Sequence, residues 1–102
     1  MPCYSIVARD YPDALERRMA IRSQHVALSD TMVAAGQLVF GAAIVEEGKM
    51  YGSVLIGRFA DRAEIDTWLA GEPYVTGRVW ESWNISEIQM GQSYAAFFPS
   101  LV

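Results

Sequence analysis

The residues best equipped for chemistry in this chain are its one histidine and the polar groups that recur beside it. In the stretch RMAIRSQHVALS, residues 18 to 29, Arg18, Arg22, His25 and Ser29 follow one another at intervals of four, three and four. At about 100° per residue, that spacing lines all four up along one side of a helix. Histidine titrates nearest neutrality, so His25 is suited to take or give a proton, and two arginines are suited to grip a carboxylate or phenolate. The line is a candidate acid/base site with a candidate anion site alongside.

Leu15, Met19, Val26 and Val33 flank this line on one side and Ile21, Leu28 and Met32 on the other, while Glu16, Ser23, Gln24, Ala27, Asp30 and Thr31 take the opposite side. A helix buries its apolar side, so the polar line points inward. Ionised arginines cannot be buried without partners. Two accounts meet that requirement. In one, the arginines snorkel along the helix and pair with Asp10, Asp13 or Glu72, and His25 is a satisfied, partly buried histidine. In the other, the line covers a pocket between helix and sheet, with His25 exchanging protons and Arg18, Arg22 and Ser29 binding an anionic small molecule.

Other chemistries find little to build on. One His and one Cys are too few for a metal site, and neither G-x-S-x-G nor a glycine-rich phosphate loop occurs. No metal and no cofactor are expected. Cys3 reads as a small apolar strand residue, and Trp68, Trp80 and Trp83 as core or interface side chains, with the wall of an aromatic pocket as the alternative.

The elements that must position these residues follow in a definite order. Cys3 to Ala8 is β-prone and ends at the turn-rich Asp10-Tyr11-Pro12-Asp13. A long helix is predicted over residues 12 to 35, started by Pro12 and stopped by Gly36. Leu38 to Val45 and Tyr51 to Phe59 read as antiparallel strands joined by Glu46 to Met50, a connection longer than the tightest hairpin. Asp61 and Glu64 have capping-box spacing before a second helix, Arg62 to Ala70, closed by Gly71. Glu72-Pro73-Tyr74 turns the chain, and Val79 to Gln89 is the last strand. The order β-α-β-β-α-β is the α+β, ferredoxin-like arrangement: one antiparallel sheet with both helices on one face.

The 102 residues, 52% hydrophobic and with a net charge of −4, suit a single domain spanning 1–102, with a core over about residues 3–90. The acidic balance argues against nucleic acid, and no apolar run approaches the roughly 20 residues of a membrane span. A lone cysteine and a start without signal-peptide pattern read as cytoplasmic. The second sheet face needs cover in so aromatic a chain, which predicts a homodimer packed sheet to sheet, a dimeric α/β barrel. The apolar tail, Ser93 to Val102, is expected to pack on the domain or on a partner, which leaves room for higher oligomers.

The run Asp10, Asp13, Leu15, Glu16, Arg18, Arg22, His25 resembles the N-terminal signature of the YciI-like (YCII-related) family, and Phe59, Ile65, Trp68, Pro73, Tyr74, Gly77 resembles its second signature, with Gly36-Gln37-Leu38 and Gly41 between. The resemblance implies a ferredoxin-like fold, a dimeric α/β barrel, and a site built from the helix histidine and the acidic residue before Pro-Tyr. By position these are His25 and Glu72, the candidate catalytic pair, with Tyr74 joining Arg18, Arg22 and Ser29 as candidate substrate-binding residues. The family pattern usually has aspartate where this chain has Glu72. Family members include a branch resembling dehydrochlorinases, and the fold is similar to that of muconolactone isomerases. The function so implied is a cofactor-independent lyase or isomerase acting on a small cyclic or aromatic compound. A non-catalytic homodimeric module that binds a small molecule, or one in which the polar line is purely structural, is the alternative.

Overall fold

β1, Cys3–Asp10, buries Tyr4, Ile6, Ala8 and Asp10 on one side, as strand alternation dictates. It pairs antiparallel with β3, Lys49–Arg58, and with β4, Trp80–Ile88, while β2, Leu38–Glu46, pairs with β3. The sheet order is therefore β2-β3-β1-β4. The helices α1, Leu15–Ala34, and α2, Arg62–Gly71, connect strands that are not neighbours, which is the ferredoxin-like α+β fold expected from the element order. The computed structural model describes residues 1–94 and 96–98. Tyr4, Ile6, Ala8 and Leu55 from the sheet close a core with Met32 of α1, Ile65 and Leu69 of α2, and Phe59 and Trp80.

Several boundaries depart from the sequence reading, each for a local reason. β1 runs past Ala8 because Arg9 still pairs with Gly52 and Ser82, and Asp10 pairs with Trp80 across a bulge. α1 starts at Leu15 instead of residue 12: Pro12 and Asp13 form a turn in which the Ala14 N–H donates to the Tyr11 carbonyl, and Ala14 caps the helix without a side-chain bond. At its other end Gly36 adopts φ 75°, and the Gly36 and Gln37 amides donate to the carbonyls of Val33 and Met32, the paired bonds of a helix closed by a left-handed glycine. The β2–β3 hairpin is tighter than expected. Glu47 and Gly48, at φ 51° and 78°, make its two-residue loop, because left-handed residues at both positions match the twist of the flanking strands. After α2, Glu72 is extended and Pro73 opens a further short helix, α3, Pro73–Thr76. The pre-proline argument locates the change of direction but not the helical turn beyond it.

The two apolar edges of α1 meet different fates. Ile21 and Leu28 pack on the core and Met32 is buried, whereas Met19, Val26 and Val33 are 52%, 36% and 57% exposed. Toward the helices the middle of β2 offers only Gly41 and Ala43, which pair with the helix-facing Leu55 and Ser53 and are too small to fill the space beneath the outer edge. A cavity of about 340 Å³ remains there. By register, Val7, Phe40, Ala42, Val54 and Ile56 lie on the sheet face turned away from the helices. Tyr94 and Phe97 of the tail are exposed, and Leu101 and Val102 lie outside the described residues. Among the described residues no helix is long and apolar enough to cross a membrane.

Candidate functional site

Arg18, Arg22, His25 and Ser29 all border the cavity between α1 and the β2–β3 half of the sheet. Val26, Val33, Leu38 and Leu55 supply apolar wall, so a few polar groups converge on a mainly hydrophobic space, as in small-molecule sites generally.

His25 is held from behind by α3. Glu72, whose backbone ends α2 and caps α3, is fully buried. Its Oε1 accepts the Tyr74 backbone N–H at 3.2 Å and the His25 Nδ1–H at 2.5 Å, while Oε2 is buried without a partner. The imidazole stacks on Tyr74, with centroids 4.0 Å apart and planes 11° from parallel, and meets Trp80 edge-on at 5.8 Å. With Nδ1 committed to the carboxylate, Nε2 is the nitrogen free to exchange a proton, and it has no partner among the described residues. Glu72 does not border the cavity and is connected to it by its bond to His25.

The two arginines of the line have different surroundings. Arg18 is buried: its Nη1 donates to both carboxylate oxygens of Asp10 at 3.0 Å, its Nη2 donates to Ser53 Oγ at 2.9 Å, and its guanidinium lies 4.7 Å from the centre of the Tyr74 ring. Burial pushes the Asp10 carboxyl up, against the opposing pull of Arg18. The charge of Arg18 is thus balanced inside the protein, by Asp10, and Asp13 pairs instead with Arg17. Arg22 is exposed at the cavity and has no ion pair or hydrogen bond among the described residues. It is the cation open to an incoming anion. Ser29 is half-buried on the same wall. Tyr74 is 1% exposed and does not border the cavity; it lies under His25 and Arg18, and burial pushes its phenol above the usual range.

Sequence reasoning missed Ser53 and the part played by Trp80. Ser53 lies on β3 opposite Ala8 and Ala43, buried against the helices, and accepts the Trp80 Nε1–H at 3.2 Å besides Arg18. The available signal was a small polar residue two positions before Leu55 in an alternating strand, since a hydroxyl buried there must be bonded. Among the described residues no cluster of His, Cys, Asp or Glu could hold a metal ion. The arrangement supplies one oriented acid/base nitrogen and one exposed cation on an apolar cavity.

An uncharacterized protein of Haemophilus influenzae is 33% identical over 84 residues, covering 76% of this chain and 86% of that protein. Among solved structures, 5-chloro-2-hydroxyhydroquinone dehydrochlorinase from Burkholderia phenoliruptrix, in complex with 2,5-dihydroxybenzoquinone, superposes with a TM-score of 0.82 at 18% identity, over 89% of this chain and 97% of that one. A dimeric ferredoxin-like protein from an uncultured marine organism superposes at 0.50 with 12% identity, over 89% and 99% of the two chains. At these identities the structures speak for the fold. The YCII-related domain matches residues 3–89, and with that match the chain belongs to the YCII-related family.

Proposed function

We propose that this protein is a cofactor-independent lyase or isomerase for a small cyclic or aromatic compound, with His25 as the acid/base. The observation that carries the reading is the bond from His25 Nδ1–H to buried Glu72, which leaves Nε2 as the proton-exchanging atom of a ring that borders the cavity. In this reading Nε2 takes a proton from a carbon next to a carbonyl. The C–H electron pair then forms a double bond: a chloride on the adjacent carbon departs with its bonding pair, or the imidazolium returns the proton to a different carbon of the ring. Glu72 stabilises the imidazolium meanwhile, Arg22 holds an anionic substituent, and the apolar walls exclude water. The resemblance in fold to a dehydrochlorinase supports the elimination branch.

The test is turnover of chlorinated hydroxyhydroquinones, whose keto tautomers carry the required C–H beside a carbonyl, and of small lactone acids, followed by chloride release and ultraviolet absorbance. His25→Ala is expected to lower turnover by about 10²- to 10⁴-fold, the usual worth of a positioned acid/base, and Glu72→Gln to lower it substantially. Undiminished activity of His25→Ala would overturn the assignment. So would a compound that raises the melting temperature yet stays unconverted by the wild type, the outcome of a purely binding protein.

A further inference from the structure

Ser53 makes an unusual set of bonds. A serine hydroxyl offers one proton and two acceptor positions. Both acceptor positions are taken, one by Arg18 Nη2 at 2.9 Å and one by Trp80 Nε1 at 3.2 Å. Guanidinium and indole N–H groups can only donate, so neither bond can reverse. The proton of Ser53 therefore has to point elsewhere, and among the described residues it has no acceptor. Ser53 is 3% exposed and borders the cavity. Its cross-strand neighbours on the helix-facing side, Ala8 and Ala43, are too small to crowd the hydroxyl.

We infer that Ser53 is a specificity-determining donor: its O–H, fixed in direction by Arg18 and Trp80, binds an oxygen acceptor of the ligand at the sheet floor of the cavity. The oxygen is a ketone or enolate oxygen on a small ring. This rests on the reading of the cavity as a ligand site, and it deepens that reading by naming the group the ligand must present. Arg18 acts through Ser53. Its charge is matched by Asp10, so it does not compete with Arg22 for an anionic substituent, but as a charged donor it polarises the hydroxyl and strengthens the bond that Ser53 gives. When a proton leaves the carbon beside a carbonyl, negative charge gathers on that oxygen. A pre-oriented donor at this point stabilises the charge without having to reorganise.

The test uses cyclohexane-1,3-dione, which is an enolate at neutral pH and resembles the charge distribution after proton removal. Binding to the intact protein is followed by tryptophan fluorescence, and the carbonyl stretching band of the bound compound by infrared difference spectroscopy. Ser53→Ala is expected to weaken binding about 10- to 100-fold, the worth of one hydrogen bond to a charged group, and to raise the carbonyl frequency. Ser53→Thr, which keeps the hydroxyl, is expected to restore both. Ser53→Cys keeps a side chain of similar size and an acceptor atom but donates poorly, so it covers the case in which the alanine variant does not fold; it is expected to behave like alanine in both readouts. A carbonyl band unchanged in a folded alanine or cysteine variant would overturn the inference, as would failure of the wild type to bind the enolate at millimolar concentration. Turnover is not read here, so a failure of the His25 chemistry leaves this result standing.

Discussion

At the scale of single residues, the buried ion pair of Asp10 and Arg18 is the most demanding feature of the molecule. Both side chains are withdrawn from water, at 0% and 4% exposure, and each is tolerable only because of the other. Removing one partner leaves an uncompensated buried charge, which typically costs about 3–5 kcal/mol. Asp10→Asn is therefore expected to lower unfolding free energy by roughly that amount, measured by urea denaturation at neutral pH. A loss of a few tenths would mean that water reaches the guanidinium and that the pair is not the anchor of the Arg18–Ser53 contact. This pairing was partly legible beforehand: the need for a polar partner follows from an arginine on the inward side of a helix. Which carboxylate supplies it was not, because Asp10, Asp13 and Glu72 are all reachable in sequence terms and only the extension of β1 brings Asp10 beneath the helix.

At the scale of elements, the site depends on α3, a helix of four residues. It places Glu72 behind His25 and Tyr74 under it, and it must lie close against α1 to do so. Gly77, at its end, permits that approach. A Cβ there would come within 2.3 Å of Ile21 Cδ1 and 2.8 Å of the Pro73 carbonyl oxygen. The isoleucine tip can swing aside but the backbone oxygen cannot, so the helix itself must shift. Gly77→Ala is expected to cost about 1–3 kcal/mol, the usual penalty of overpacking, and to lower turnover through a displaced Glu72. Chemical denaturation and steady-state kinetics check the two effects, and unchanged values of both would show that α3 is not held so tightly. The periodicity that identified α1 and α2 had no purchase on α3. One turn is too short to display a period, and its evidence lies in Pro73 and in the capping bond from the Tyr74 amide to Glu72.

At the scale of the whole molecule, the sheet face away from the helices carries Val7, Val54 and Ile56 on the two central strands, Phe40 on the edge strand β2, and Ser82, Asn84 and Ser86 along β4. Phe40 is 42% exposed. We propose that a second copy of the chain covers this face, which would remove apolar area from water on both subunits. Sedimentation equilibrium at micromolar concentration is expected to give twice the chain mass, and Val54→Glu, which places a charge in the middle of the apolar patch, to give the monomer. A wild-type monomer at that concentration would exclude the arrangement.

The sequence by itself determined the order of the four strands and the two longer helices, and with it the ferredoxin-like topology, because strand alternation, helix periodicity and turn residues are local signals carried within each segment. It also determined that Arg18, Arg22, His25 and Ser29 share one side of α1, since helical geometry follows from spacing alone. Only the tertiary structure decided how those four differ. Arg18 is neutralised by Asp10 and tied to Ser53, His25 is locked to Glu72 and Tyr74, and Arg22 remains exposed. It likewise decided that the small residues of β2 leave a cavity under the outer edge of α1 and that the proton of Ser53 has no acceptor within the described protein. These distinctions arise from contacts between residues tens of positions apart in the chain. Their geometry is set by strand register, the bulge at Asp10 and the one turn of α3, none of which a local pattern encodes.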